Sequence, residues 1–192
     1  MKHSVPKKIV LIGASTGGPG QIQKIFNSLK RLHNTTIIIA QHMVPGFMES
    51  FTNRLQNNNS NTIEMITDEE SLKHPHIYIS EGETKLIHTN HELIFNKEKS
   101  QLHSFNPNIN ILFDSFTPLC KEVEILCVIL TGIGDDGVDA CINLSNNGAR
   151  CITETQQSAI VDGMPNRARA LVPNIEVYDI EKIIDIISEF CE

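Results

Sequence analysis

Lys8-Ile9-Val10-Leu11-Ile12-Gly13, followed at once by Ala14-Ser15-Thr16-Gly17-Gly18, decides how the rest of this chain is read. A short, nearly all-apolar run ended by glycine reads as a strand buried on both faces. After the glycines, Ile22, Ile25, Phe26 and Leu29 recur at intervals of 3, 1 and 3, one face of a helix over 20–32. Thr36–Gln41 repeats the buried-strand pattern, and 46–55 returns to helical spacing through Phe47, Met48, Phe51 and Leu55. Strand, helix, strand, helix predicts right-handed crossovers and a parallel sheet.

The middle of the chain breaks this rhythm. Runs at 77–80, 85–89 and 92–96 are short and divided by turn signals at Glu81-Gly82-Glu83 and Asn90-His91, which predicts a small antiparallel hairpin. Asn57-Asn58-Asn59-Ser60-Asn61 reads as a solvated loop. Pro107 precedes a helix carrying Ile109, Leu112, Phe113 and Phe116. Strands at 125–130 and 150–153 and helices at 138–145, 165–171 and 180–190 then restore the first pattern. A single three-layer α/β domain over 1–192 is the economical reading.

Composition removes several function classes. With 192 residues, 16 Lys plus Arg and 23 Asp plus Glu, the net charge is −7, and the bases occur only as isolated pairs, so nucleic acid is disfavoured as a partner. No apolar run has the length of about 18–20 residues that a membrane span needs, and the first residues lack the apolar core of a secretory signal. The cysteines, Cys120, Cys127, Cys141, Cys151 and Cys191, are odd in number and contain no CxxC, which fits free thiols in the cytoplasm and no zinc site. His74, His76, His88 and His91 read as a solvated loop rather than a metal site. Arg167 and Arg169 read as solvated helix positions, and Met43 and Met164 as core.

Three strand ends carry reactive groups. Gly13-x-Ser15-x-Gly17 matches a nucleophile elbow, although a helix-capping serine fits equally well. A dinucleotide fingerprint is the weaker reading, because Ser15 stands where its second glycine belongs and Gln41-His42 stands where a ribose-binding acid is needed. His42 directly follows the second strand. Thr131-Gly132-Ile133-Gly134-Asp135-Asp136-Gly137 follows the strand at 125–130, and its aspartates fit helix caps as well as chemistry. In open α/β sheets ligands gather at the carboxyl ends of strands. Ser, His and Asp there supply a nucleophile, a base and a group that orients the base. The chain order Ser15, His42, Asp136 departs from the Ser, Asp, His order of α/β-hydrolases. Oxyanion amides are expected from Thr16 or from the 132–134 loop.

Five stretches together resemble the catalytic domain of chemotaxis-type protein-glutamate methylesterases, the CheB family. They are 12–19 (IGASTGGP), 41–43 with Phe51, Arg54 and Leu55, 108–115 (NINILFDS), 130–137 (LTGIGDDG) and 157–165 (QSAIVDGMP). The resemblance implies a doubly wound, mostly parallel three-layer α/β/α fold with a small antiparallel element. It implies hydrolysis of glutamyl methyl esters, and deamidation of glutamines, on the cytoplasmic helices of methyl-accepting chemoreceptors, with no cofactor. Ser15, His42 and Asp136 fall on the family's catalytic positions, and the amide near Ile133 on its oxyanion contributor. Typical members also carry an N-terminal receiver domain, for which this sequence shows no counterpart, and 80–85 departs from the family's proline-glycine turn. An inactive receptor-binding adaptor of the same fold, or a nucleotide-binding module, are the competing readings.

Overall fold

The computed structural model describes residues 6–89, 92–98 and 106–192. Three strands, apolar except at their ends, form the centre: β1 (Lys8–Ala14), β2 (Thr35–Gln41) and β7 (Glu124–Ile129). Their β-branched side chains suit a pleated surface covered on both faces. With β3 (Ile63–Met65), β4 (His76–Ile79), β8 (Arg150–Glu154) and β9 (Glu176–Tyr178) they make a seven-stranded parallel sheet, ordered β3-β4-β2-β1-β7-β8-β9. The chain builds outward from β1 through β2, then crosses back and builds the other way from β7. The strand order therefore reverses at β1/β7, where an open α/β sheet leaves a crevice.

Helices cover both faces. On one, α1 (Gly18–Ser28), α2 (Pro45–Asn57) and α6 (Ile180–Cys191) bury Ile22, Phe26, Met48, Phe51, Ile183 and Ile187 against β1 and β2. On the other, α3 (Ile109–Asp114), α4 (Val138–Asn146) and α5 (Met164–Leu171) bury Leu112, Phe113, Cys141 and Ala168. The antiparallel hairpin β5 (Glu83–His88) and β6 (Leu93–Glu98) adds Leu86 and Phe95 to this second core. This is the doubly wound three-layer arrangement that the resemblance implied.

Several local expectations change. The run at 77–80 is not part of the antiparallel excursion: β4 pairs in parallel with β2 and β3, because its all-buried side chains need cover on two faces. The turn expected at Asn90-His91 lies outside the described residues. Helix α1 stops at Ser28 rather than at Leu32, yet Leu29 and Leu32 are buried. The asparagine loop explains this. Asn61, itself buried, accepts the N–H of Leu32 and donates to the carbonyl of Lys30, so a distant side chain takes over backbone groups that a longer helix would have used. His76 is likewise a buried strand residue beside Glu64, not part of a solvated loop. Phe47 satisfies the helical spacing but points to solvent.

Candidate functional site

The sheet register brings Ser15 and His42 together. Ala14 and Gln41 are partners across β1 and β2, so the residues that follow them leave the sheet side by side, and the N–H of His42 donates to the carbonyl of Ala14 at 2.9 Å. The N–H of Ser15 donates to the carbonyl of Thr131, just past β7, at 3.0 Å. The crossover at β1/β7 thereby places the 131–137 loop beside the serine. That approach needs glycine at 132, where a Cβ would lie 2.6 Å from the Cβ of Ser15 and 2.4 Å from the sulfur of Met164. Gly17 starts α1 at a φ of 84°, in the left-handed region that favours glycine. Helix α1 has no side-chain cap, so Ser15 is not its capping residue.

Asp136 lies beneath His42. Its Oδ2 is 2.7 Å from Nε2 of the imidazole, and both side chains are largely buried. Oδ2 also accepts the N–H of Ile109 at 2.8 Å, and Oδ1 accepts that of Asn110 at 2.9 Å. Asp136 does cap a helix, but α3 rather than the α4 that its own loop opens. Two backbone donors fix the carboxylate plane, and charge-assisted bonds of this kind are short and directional. Asp135 is exposed and makes no such contact; its carbonyl accepts the N–H of Val138.

Around this arrangement the backbone N–H groups of Thr16 and Ile133, like those of Gly17 and Gly134, donate to no acceptor among the described residues. The side chains of Val44, Phe47, Ile133 and Ile160 are exposed on the segments bordering the strand ends. An open pocket of about 320 Å³ beside them is lined by Gly134, Asp135, Gly163, Asn166 and Arg167. Met164 is fully buried under the 131–134 loop, a core role.

Three residues to which the sequence reading gave no role hold this end of the sheet. Gln41, buried at the end of β2, donates through one amide nitrogen to the carbonyls of both Ser15 and His42, each at 2.8 Å. Thr131 donates its hydroxyl to the carbonyl of Thr16 and accepts the N–H of Val161. Glu154, the last residue of β8, is fully buried and accepts the N–H of Thr131 at 2.6 Å. Arg169 is not a solvated position either: one terminal guanidinium nitrogen donates to both carboxylate oxygens of Asp162, and the other donates to the carbonyl of Glu154. Gln41 shows in the sequence as a polar residue ending the apolar run 37–40, and Thr131 as the first residue of the glycine-rich 131–137 stretch. The others act on backbone groups brought close by the fold.

A second cluster lies nearer the middle of the same strands. The sulfurs of Cys127, Cys141 and Cys151 lie within 4.8 Å of one another, because Cys127 and Cys151 are register partners across β7 and β8 and Cys141 packs over them from α4. The absence of close cysteine pairs in the sequence concealed this. All three are buried in the α3–α5 core, and the sulfur of Cys151 lies 3.6 and 3.8 Å from the carbonyls of Cys141 and Ala149, where an S–H donor would sit. Such thiols behave as small hydrophobes.

Comparison with known proteins agrees with this architecture. A family model described as CheB methylesterase matches residues 10–187. A protein-glutamate methylesterase/protein-glutamine glutaminase of Halalkalibacterium halodurans is 34% identical over 200 residues, covering 100% of this chain and 57% of the relative. One of the same name from Thermotoga maritima is 32% identical, covering 85% and 48%. The chain thus spans about half the length of the curated relatives it matches. The crystal structure of the Thermotoga maritima CheB methylesterase catalytic domain superposes with a TM-score of 0.86 at 29% identity, covering 96% of this chain and 99% of that one. With the same overall fold and a family model that matches residues 10–187, this chain belongs to the CheB methylesterase family.

Proposed function

We propose that this chain hydrolyses glutamyl methyl esters on chemoreceptors, and deamidates glutamines there by the same chemistry, with Ser15 as nucleophile, His42 as base and Asp136 as the group that orients it. The observation that carries the reading is the 2.7 Å contact between His42 Nε2 and a buried Asp136, one strand away from Ser15. A carboxylate already accepting two N–H groups favours the ring proton on Nε2, which makes Nδ1 the basic nitrogen of the neutral ring. Nδ1 takes the hydroxyl proton of Ser15 as the oxygen attacks the ester carbonyl. The N–H groups of Thr16 and Ile133 stabilise the oxyanion. Collapse returns the proton to the leaving methanol and leaves a glutamyl–serine ester, and water activated by His42 releases the acid. For a glutamine the leaving group is ammonia.

The exposed apolar side chains of Val44, Phe47, Ile133 and Ile160 suit a partner that presents its own apolar surface around the reacting side chain, as a receptor helix pair does. The test is methanol release from methylated receptor membranes by wild type and by Ser15→Ala. Release by wild type and a loss of roughly 10³-fold or more in the variant is expected. Equal release by both would remove Ser15 as nucleophile. Receptor binding without release by wild type would favour the adaptor reading.

A further inference from the structure

Glu154 carries no part of the chemistry above, yet it is a fully buried carboxyl at the centre of the structure that shapes the site. Its two oxygens accept from three different segments: the N–H of Thr131 at 2.6 Å, the side-chain amide of Gln21 on α1 at 3.0 Å, and the hydroxyl of Ser158 at 3.0 Å. Ser158 passes the connection on by accepting the N–H of Ile180, the first residue of α6. The backbone carbonyl of Glu154 is held by Arg169 from α5. Burial pushes the Glu154 carboxyl above the ordinary glutamate range, against the pull of the donors from Thr131, Ser158 and Gln21. Burying a carboxyl is costly unless its acceptor oxygens are hydrogen-bonded, as both are here.

Thr131 is the residue through which that geometry reaches the nucleophile. Its N–H is held by Glu154, its carbonyl accepts the N–H of Ser15, and its hydroxyl donates to the carbonyl of Thr16. The next residues, Gly132 and Ile133, bring the proposed oxyanion amide into place. Releasing the N–H of Thr131 frees the peptide unit directly before the Thr131–Gly132 unit, whose carbonyl accepts from Ser15 and which leads into the oxyanion loop.

The geometry points to Glu154 as a positioning residue for the acyl-transfer site, its carboxyl acting as the acceptor that fixes Thr131 and through it Ser15 and the Gly132–Ile133 loop; this rests on the hydrolase reading above. Glutamine at 154 keeps a carbonyl oxygen for Thr131, and Gln21 has a buried amide oxygen with no partner that can take the new NH₂ if its own amide turns over. Alanine removes the acceptor altogether.

The experiment compares wild type, Glu154→Gln and Glu154→Ala by steady-state methanol release and by amide hydrogen exchange at Thr131 and Ser15. Glu154→Ala is expected to lower kcat by roughly tenfold to a hundredfold, with KM little changed, and to speed exchange at those two amides by about tenfold or more. Glu154→Gln is expected to restore both to within about threefold of wild type. If Glu154→Ala does not fold, Glu154→Met, which fills the volume without an acceptor, takes its place. A kcat within about twofold of wild type in the variant lacking the acceptor overturns the proposal. So does a Glu154→Gln enzyme as impaired as that variant. If wild type itself releases no methanol, the hydrolase reading fails, and the exchange rates alone decide whether Glu154 holds Thr131.

Discussion

Strands β7 and β8 bury two contrasting clusters only a few residues apart. Mid-strand, Cys127 and Cys151 face Cys141 inside an aliphatic layer. At and just past the carboxyl ends, Thr131, Thr153 and Glu154 are equally sealed from solvent but are satisfied by directed hydrogen bonds at 2.6–3.0 Å. A buried thiol loses little when a neighbour shifts, because dispersion is non-directional. A buried carboxyl or peptide N–H that loses its partner bears the whole desolvation penalty. Burial alone therefore does not show which positions tolerate change. What the buried group must be bonded to does.

The contrast can be broken most forcefully at Asp136. Replacing it with Asn puts an amide where three donors converge and disturbs the His42 tautomer. On the hydrolase reading kcat should fall by about 10³–10⁴-fold, and a methanol assay showing less than a tenfold loss would mean Asp136 only caps α3. Gln41→Leu comes next. It removes the amide that joins the carbonyls of Ser15 and His42. Stability should drop by about 1–3 kcal/mol in urea titration, with at least a tenfold loss of kcat.

Gly132→Ala probes crowding rather than bonding. The added methyl would meet Ser15 and Met164 at under 3 Å, so roughly 1–3 kcal/mol of destabilisation is expected, and reactivity of Ser15 toward a fluorophosphonate should decline. Cys141→Ala tests the other side of the comparison. About 1–2 kcal/mol should be lost on thermal or urea unfolding, while kcat stays at the wild-type value. A large kcat effect there would show that the thiol layer is coupled to the site.

The smallest effect concerns pH. Burial raises the Glu154 carboxyl above its unfolded value, so between the two values the native state binds more protons than the unfolded chain. Stability attributable to this group therefore falls as pH rises from the ordinary glutamate range, about 4.3, through the folded value. Glu154→Gln lacks that slope, so its stability relative to wild type should improve from pH 4 to pH 7. Parallel stability curves for the two proteins would contradict the burial cost assigned to Glu154.

Much of this is legible in the sequence. The apolar runs around β1, β2 and β7 announced a parallel sheet, and Ser15, His42 and Asp136 were placed at strand ends by their position in the rhythm. Periodicity reports which face is covered, so it placed Ile22, Phe26, Met48 and Phe51 correctly. It failed where a residue serves a distant backbone: Asn61 in a loop that reads as solvated, Arg169 on a helix face that reads as exposed, and Asp136, which caps α3 rather than α4. Hydrogen bonds between residues 15, 27 and 29 positions apart leave no spacing signal.

By itself, then, the sequence determined the layers, the strand ends that carry polar chemistry and the family, because these follow from local periodicity and motif order. Only the tertiary structure decided that His42 meets Asp136 through Nε2, that Gln41 and Glu154 hold the backbones beside Ser15, and that three scattered cysteines share one layer. These depend on register and on the crossover from β1 to β7, where directional contacts are set by which strands become neighbours rather than by which residues are neighbours along the chain.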